Sequence, residues 1–179
     1  HPNICRHIHL PVQSGSSRVL KAMNRGYTRE WYMNRIDAIR SYLPQAEITT
    51  DIMTGFPGEE QEDHQQTLSL MEYAGYDFAY MFKYSERPGT RAARKMEDDV
   101  PEAVKKQRLH QIIGLQNQLS ASSKEKAIGK TFPVLVEGPS KKSTSDYQGR
   151  NSQNQVVVFP KKNSPIGTYV DVKIEKATA

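Results

Sequence analysis

His9-Leu10-Pro11-Val12-Gln13-Ser14-Gly15-Ser16-Ser17 marks the point where an apolar run stops and a helical pattern begins. Ile8–Val12 reads as a strand, and Val19, Leu20 and Met23 are the first apolar positions of a helix over Ser17–Asn24. Two readings fit the Gln-Ser-Gly-Ser between them. Ser can cap the orphan N–H groups of the helix. Alternatively, a ligand lies over the C-terminal end of the strand, where parallel sheets place their sites.

Working outward, the same grammar recurs. A helix from Thr28, a plausible cap, to Tyr42 carries Trp31, Ile36, Ile39 and Leu43 at helical spacing, and Pro44 ends it. Ala46–Met53 is rich in β-branched residues and empties into Thr54-Gly55-Phe56-Pro57-Gly58-Glu59-Glu60. The helix that follows carries Leu68, Met71 and Ala74 and stops at Gly75. Asp77–Tyr84 is the third strand, leading into Ser85-Glu86-Arg87-Pro88-Gly89-Thr90. Strands separated by helices imply parallel βαβ units, so all three exits lie on one side. Three strands cannot close a barrel.

A long helix follows from Pro101 to about Lys126, with Val104, Leu109, Ile112, Ile113, Leu115 and Leu119 as its apolar positions. Beyond Gly129, short alternating runs (Phe132–Glu137, Gln155–Phe159, Tyr169–Ile174) alternate with Gly, Pro, Ser and Asn clusters, the pattern of a small all-β barrel. The expected fold is α/β with a partial parallel (β/α) barrel, residues 1–119, followed by a small all-β barrel, residues 120–179.

The charge is split. Residues 1–100 carry −2 and residues 101–179 carry +7, which suits a polyanion-binding appendage or simply a basic surface. The single cysteine, Cys5, excludes an internal disulfide and any all-Cys metal site. The chain opens on His1-Pro2 without Met, a signal pattern or an apolar run of membrane-spanning length. These features lead us to expect a soluble, cytoplasmic piece of a longer protein.

Among individual residues, Asp51 interrupts a β-branched strand, and a carboxylate there rarely serves packing; a ribose diol or an amine would partner it. Arg25 ends the first helix, where it can also complement the dipole. His7 and His9 share a strand face, but no third ligand is near, so no metal is expected. His64 and His110 read as surface residues. Lys141, Lys142, Arg150, Lys161 and Lys162, interleaved with Tyr147 and Phe159, can bind RNA or be solvated loops.

His9–Ser16, Arg25-Gly26-Tyr27-Thr28, Asp51–Glu59 and Tyr84–Thr90 together resemble the second half of a radical S-adenosylmethionine barrel of the methylthiotransferase family. Val134–Ser143, Gly149-Arg150-Asn151 and Val156–Phe159 are similar to its TRAM domain, most closely in the MiaB-type tRNA branch. This resemblance implies methylthiolation at C2 of N6-isopentenyladenosine next to the anticodon. Sister branches act on threonylcarbamoyl-adenosine or on a ribosomal-protein aspartate, and the chain alone could be a non-catalytic RNA-binding module.

By the resemblance, Gln13 would hydrogen-bond the ribose of S-adenosylmethionine, Arg25 its methionine carboxylate and Asp51 a ribose hydroxyl. The backbone from Met53 through Gly55 to Phe56 would line the adenine, and Ser14 would join this set unless it caps the helix. Arg87 and Thr90 would face substrate, while Lys141, Lys142, Arg150 and Lys161 would face the anticodon stem-loop of tRNA. Implied partners are S-adenosylmethionine, tRNA and a reductant such as flavodoxin or ferredoxin. Two departures stand out. The family's G-x-I-x-G-x-x-E motif appears as Asp51–Gly58, without its first Gly and with Glu59 one residue late. The family's two [4Fe–4S] clusters need six cysteines, and only Cys5 is present.

Overall fold

The computed structural model describes residues 4–161 and 164–178. Its elements are β1 (His7–His9), α1 (Ser17–Ala22), α2 (Arg29–Tyr42), β2 (Glu47–Thr54), α3 (Gln61–Ala74), β3 (Phe78–Lys83), α4 (Arg91–Lys95) and α5 (Glu102–Glu125). Four strands follow, β4 (Thr131–Pro139), β5 (Asp146–Asn151), β6 (Val156–Pro160) and β7 (Tyr169–Lys173). Contacts divide the chain into two compact units. One is Ile8–Pro44 with Ile48–Ser120; the other comprises the described parts of His1–His7, Gln45–Glu47 and Ala121–Ala179.

In the first unit the strands lie in the order β1-β2-β3, with β2 and β3 parallel. β1 is shorter than the expected Ile8–Val12 because its ladder slips. The Leu10 N–H donates to Thr49 O, yet the next rung joins Gln13 to Ile52, so β1 holds one extra residue. Thr50 fills the gap, its hydroxyl donating to Leu10 O and accepting from the Val12 N–H.

The core packs Val12, Ile48, Ile52 and Ala79 against Tyr32 and Ile36 of α2, Leu70 and Met71 of α3, and Ile112 of α5. Tyr76 donates to the Tyr32 hydroxyl, which donates to Leu10 O; burial pushes the Tyr32 phenol up to about 12. Trp31, expected on the apolar face, is half exposed, and Tyr32 takes the inward position beside it. His64, expected on the surface, is fully buried between α3 and α5, where its Nε2–H donates to Gln111 Oε1 at 2.7 Å. On α5, Ile112 is buried as expected and Leu115 and Leu119 pack against the core, but the buried stripe is not apolar. It is Lys105, Arg108, Ile112 and Gln116, a 3-4-4 spacing carried mostly by polar residues.

The second unit is an antiparallel sheet in the order β6-β5-β4-β7, open between β6 and β7, so its four strands form a half-barrel. β5, Asp146–Asn151, has no apolar alternation and was not visible as a strand in sequence. Val134, Val136, Val157 and Phe159 form its core. A side chain at Gly149 would meet Leu135 O at 2.1 Å, so the Gly of Gly149-Arg150-Asn151 is fixed by strand packing. Asn151 is buried, and its Oδ1 accepts the N–H groups of Gln153 and Gln155 to close the β5–β6 hairpin.

Candidate functional site

Parallel sheets are normally covered on both faces. Here one face of β1-β2-β3 carries the core, while the other presents Phe78, Tyr80 and Phe82, each about half exposed, on alternate positions of β3. Their register partners are Thr49, Asp51 and Met53. His9 joins them: its Nδ1 lies 3.0 Å from Thr49 Oγ1, its Nε2 3.5 Å from Asp51, and its ring meets Tyr80 edge-on at 6.1 Å. This is an aromatic face with one half-buried carboxylate, suited to a ring that stacks and a hydroxyl that donates.

Gln13 completes the group through its backbone. Its N–H donates to Asp51 O and its carbonyl accepts from the Met53 N–H, both at 2.8 Å, so it sits between those two residues at the strand ends. It holds φ near +70°, which turns the chain sharply into Ser14. The structure therefore brings Gln13, Asp51 and Met53 together. The same face holds His9, Tyr80 and Phe82, which sequence reasoning did not assign; the alternating aromatics of Asp77-Phe78-Ala79-Tyr80-Met81-Phe82 were the available signal.

The loop after β1 is held mainly by α3. Ser14 is buried, its Oγ accepting the Ser16 N–H and lying 3.5 Å from the Thr67 hydroxyl. Gly15 touches α3 so closely that a Cβ would lie 2.5 Å from both Gln66 O and Thr67 Cα. Ser16 caps α1 and donates to Asp63 at 2.6 Å. Arg18 clamps the same carboxylate and donates to Gly58 O. Burial works to raise the Asp63 pKa, but the hydrogen bonds from Arg18, Ser16 and the Glu60 N–H outweigh it and hold the carboxyl below its usual range.

The loop after β2 is held by α5. Gly55, at φ near +71°, rests on the Lys105 side chain, and its N–H donates to Glu59 Oε1 at 2.8 Å. Arg108 donates to the same oxygen at 2.9 Å. A cavity of about 320 Å³ lies beside this loop, lined by Arg18, Glu59, Glu60, Asp99, Val104 and Arg108; Gln13, Asp51 and Met53 do not line it.

The remaining expected residues lie apart. Arg25 is exposed beyond α1; its N–H closes the helix on Leu20 O, after Asn24 in the left-handed conformation. Thr90 caps α4, its hydroxyl accepting the Ala93 N–H and donating to Arg87 O, while Arg87 is exposed. In the second unit Lys141 and Lys142 are exposed in the β4–β5 turn. Lys161 reaches that turn at Thr144 O and lies 5.5 Å over the Tyr147 ring. Arg150 pairs with Glu137 at 3.4 Å and Asn154. Lys162 lies outside the described residues.

Residues 2–71 match the radical SAM superfamily, and residues 125–179 match the TRAM domain. Over 178 residues the chain is 58% identical to a protein of Bacteroides thetaiotaomicron named tRNA-2-methylthio-N(6)-dimethylallyladenosine synthase, covering 99% of this chain and 39% of that protein. A protein of the same name from Flavobacterium johnsoniae is 56% identical over 179 residues, covering all of this chain and 37% of the relative. The chain thus spans about two fifths of the length of the curated relatives it matches. Among solved structures, coproporphyrinogen III oxidase (HemN) of Escherichia coli, described as a radical SAM enzyme, superposes with a TM-score of 0.55. The match covers 82% of this chain and 41% of that one, and at 16% identity it speaks for the fold alone.

Proposed function

Since this chain joins a radical SAM segment to a TRAM domain, we propose that it is the C-terminal portion of a tRNA methylthiotransferase. The whole protein would add a methylthio group to C2 of N6-isopentenyladenosine next to the anticodon. The observation that carries this reading is the identity to the named synthases, over a match that spans both units.

The residues present fit one cofactor and not the other. The open face fits a nucleoside: Asp51 has an accessible carboxylate for a ribose hydroxyl, Gln13 stands beside it, and the Met53–Phe56 backbone follows at the strand end. Arg25 would take the methionine carboxylate of S-adenosylmethionine, and Ser14 would stiffen the turn behind Gln13. The iron–sulfur clusters do not fit this chain. Its one cysteine is exposed, and among the described residues no group of three His, Cys, Asp or Glu could hold a metal. Their ligands belong to another part of the protein, and a reductant such as flavodoxin or ferredoxin would serve them there.

The tRNA contact falls on residues 120–179. Lys161 over Tyr147, with Lys141 and Lys142 exposed in the β4–β5 turn, combines cations with an aromatic ring, the pairing that holds single-stranded RNA. Arg150 would add to this surface, and Arg87 and Thr90 would face substrate from residues 1–119. Among the described residues no helix is long and apolar enough to cross a membrane.

The test is to express the full-length protein in a host lacking the modification and to analyse tRNA nucleosides and ribosomal proteins by mass spectrometry. A methylthio increment on isopentenyladenosine is the expected result. An increment on threonylcarbamoyl-adenosine or on a ribosomal-protein aspartate would overturn the substrate assignment. For the RNA surface, Lys141→Glu with Lys142→Glu should weaken tRNA binding and lower the salt slope by about 1–2. An unchanged slope refutes that surface.

A further inference from the structure

The inward stripe of α5 belongs to neither matched region, since residues 72–124 lie between them. Yet its two buried cations meet the loop after β2 at its backbone. We propose that Lys105 and Arg108 are positioning residues that hold Thr54-Gly55-Phe56 in the shape the cofactor requires. The cofactor part of this inference rests on the reading of the Met53–Phe56 backbone given above.

Lys105 supplies the floor. It is almost fully buried, and a Cβ on Gly55 would lie 2.4 Å from its Cγ, so the glycine backbone lies directly on the lysine stem. The stem is fixed at its far end, where Nζ sits 2.6 and 2.5 Å from the two Asp98 oxygens and 5.3 Å over the Tyr84 ring. Arg108 supplies the tie. It donates to both the carbonyl and the carboxylate of Glu59, at 3.0 and 2.9 Å. Glu59 Oε1 accepts in turn from the Gly55 N–H and the Thr54 hydroxyl. Three donors therefore converge on one oxygen, and one of them is the backbone of the proposed cofactor loop.

An apolar cluster would serve bulk stability as well as this arrangement does. A buried ion pair can often be replaced by apolar side chains without loss, whereas ions with several fixed hydrogen bonds select one geometry. Burial pushes the Glu59 carboxyl up, and the Gly55 N–H and the Arg108 charge pull it back. The cavity beside it brings Arg18 of α1 together with Glu60 and Asp99, so Arg108 is the cation bonded to this carboxylate while acidic groups stand near. Without Arg108, ionised Glu59 would leave its buried position and release Thr54 and Gly55.

The experiment uses the full-length protein, with S-adenosylmethionine binding followed by calorimetry and backbone hydrogen exchange followed over residues 54–59. Arg108→Gln should lower affinity relative to wild type about tenfold near pH 8 and less at the acid end of the range in which the protein is folded, because burial raises the Glu59 pKa and a protonated Glu59 needs no cation. Exchange at 54–59 should rise while the β4–β7 sheet is unchanged. Arg108→Lys should restore most of the affinity, and adding Glu59→Gln to Arg108→Gln should remove the pH dependence. Should Arg108→Gln fail to fold, Glu59→Gln alone should speed exchange at the same residues. Wild-type affinity and exchange in Arg108→Gln, or an equal loss at both pH values without rescue, overturns the proposal. If the wild-type protein does not bind S-adenosylmethionine, the cofactor reading falls, and exchange at 54–59 still decides whether α5 holds the loop.

Discussion

After β1 the chain turns on neutral hydroxyls; after β2 it turns on buried ions. Both loops leave a parallel strand, both contain a glycine that a helix approaches closely, and both lead into a capped helix. In the first, the Ser14 hydroxyl accepts the Ser16 N–H and lies beside the Thr67 hydroxyl, and Ser16 alone donates to the Asp63 carboxylate. The glycine touches rigid helix backbone. In the second, Glu59 reaches back to Gly55 and forward to Arg108, 49 residues away, and the glycine touches a side chain. The first loop is a joint between elements, locked by packing. The second is tied by long side chains reaching in from another helix. A site that must admit a ligand gains from having one of each.

The largest effect expected follows from that contrast. Gly15→Ala places a methyl 2.5 Å from Gln66 O and Thr67 Cα, and helix backbone cannot step aside. The cost should be about 3 kcal/mol, read as a shift of the urea midpoint. Gly55→Ala meets the Lys105 stem and an unfavourable positive φ, and about 1–2 kcal/mol should suffice. A larger loss at Gly55 than at Gly15 would break the comparison.

Next in size is Asp63→Asn, which removes the charge that Ser16, Arg18 and the Glu60 N–H share. About 1–3 kcal/mol of stability should go near neutral pH. The sign of the pH dependence follows from a carboxyl held below its ordinary value. Its contribution is present above the unfolded value and fades as pH falls through the lowered folded one. Acid titration of stability should therefore be flatter in the variant at its low end. An acid limb equal to that of wild type would show that Arg18 and Ser16 do not act on this carboxylate.

These tests reach parts of the molecule that differ in how far sequence could foresee them. The three parallel strands and the strand-end position of Gln13 and Asp51 followed from alternation and turn chemistry, because each depends on near neighbours in the chain. The loop at Gly15 was visible as a strand exit, but sequence could not say that the group lying against it is α3 rather than a ligand. The slip in β1 was hidden, since Thr50 replaces a ladder bond with a hydroxyl. β5 was hidden because Gly149 and Asn151 sit in its inward positions, where alternation would require apolar residues. The α5 face was only partly foreseen, for a related reason. Lys105, Arg108 and Gln116 look solvent-facing by type, and only Asp98, seven residues back, and the distant Glu59 and Tyr76 make their burial tolerable.

The smallest effect expected is also the one that separates the two loops most cleanly. Asp63 and His64 are consecutive on α3, yet Asp63 serves the first loop and His64 packs towards α5. His64 is fully buried, with Nδ1 unpartnered. Burial, reinforced by the Arg108 charge, keeps it below the ordinary histidine value against the hydrogen bond to Gln111. A base depressed in this way binds its proton more readily in the unfolded chain. Stability should thus be complete above about pH 6.5 and fall, by at most about 1.4 kcal/mol per pH unit, as pH drops below it. His64→Gln should remove that decline and leave the one from Asp63, which begins at more acid pH. Two separate steps in the wild-type profile, each abolished by its own variant, would show that α3 braces the loops independently. A single step lost in either variant would mean that the hydroxyl joint and the ionic tie open together.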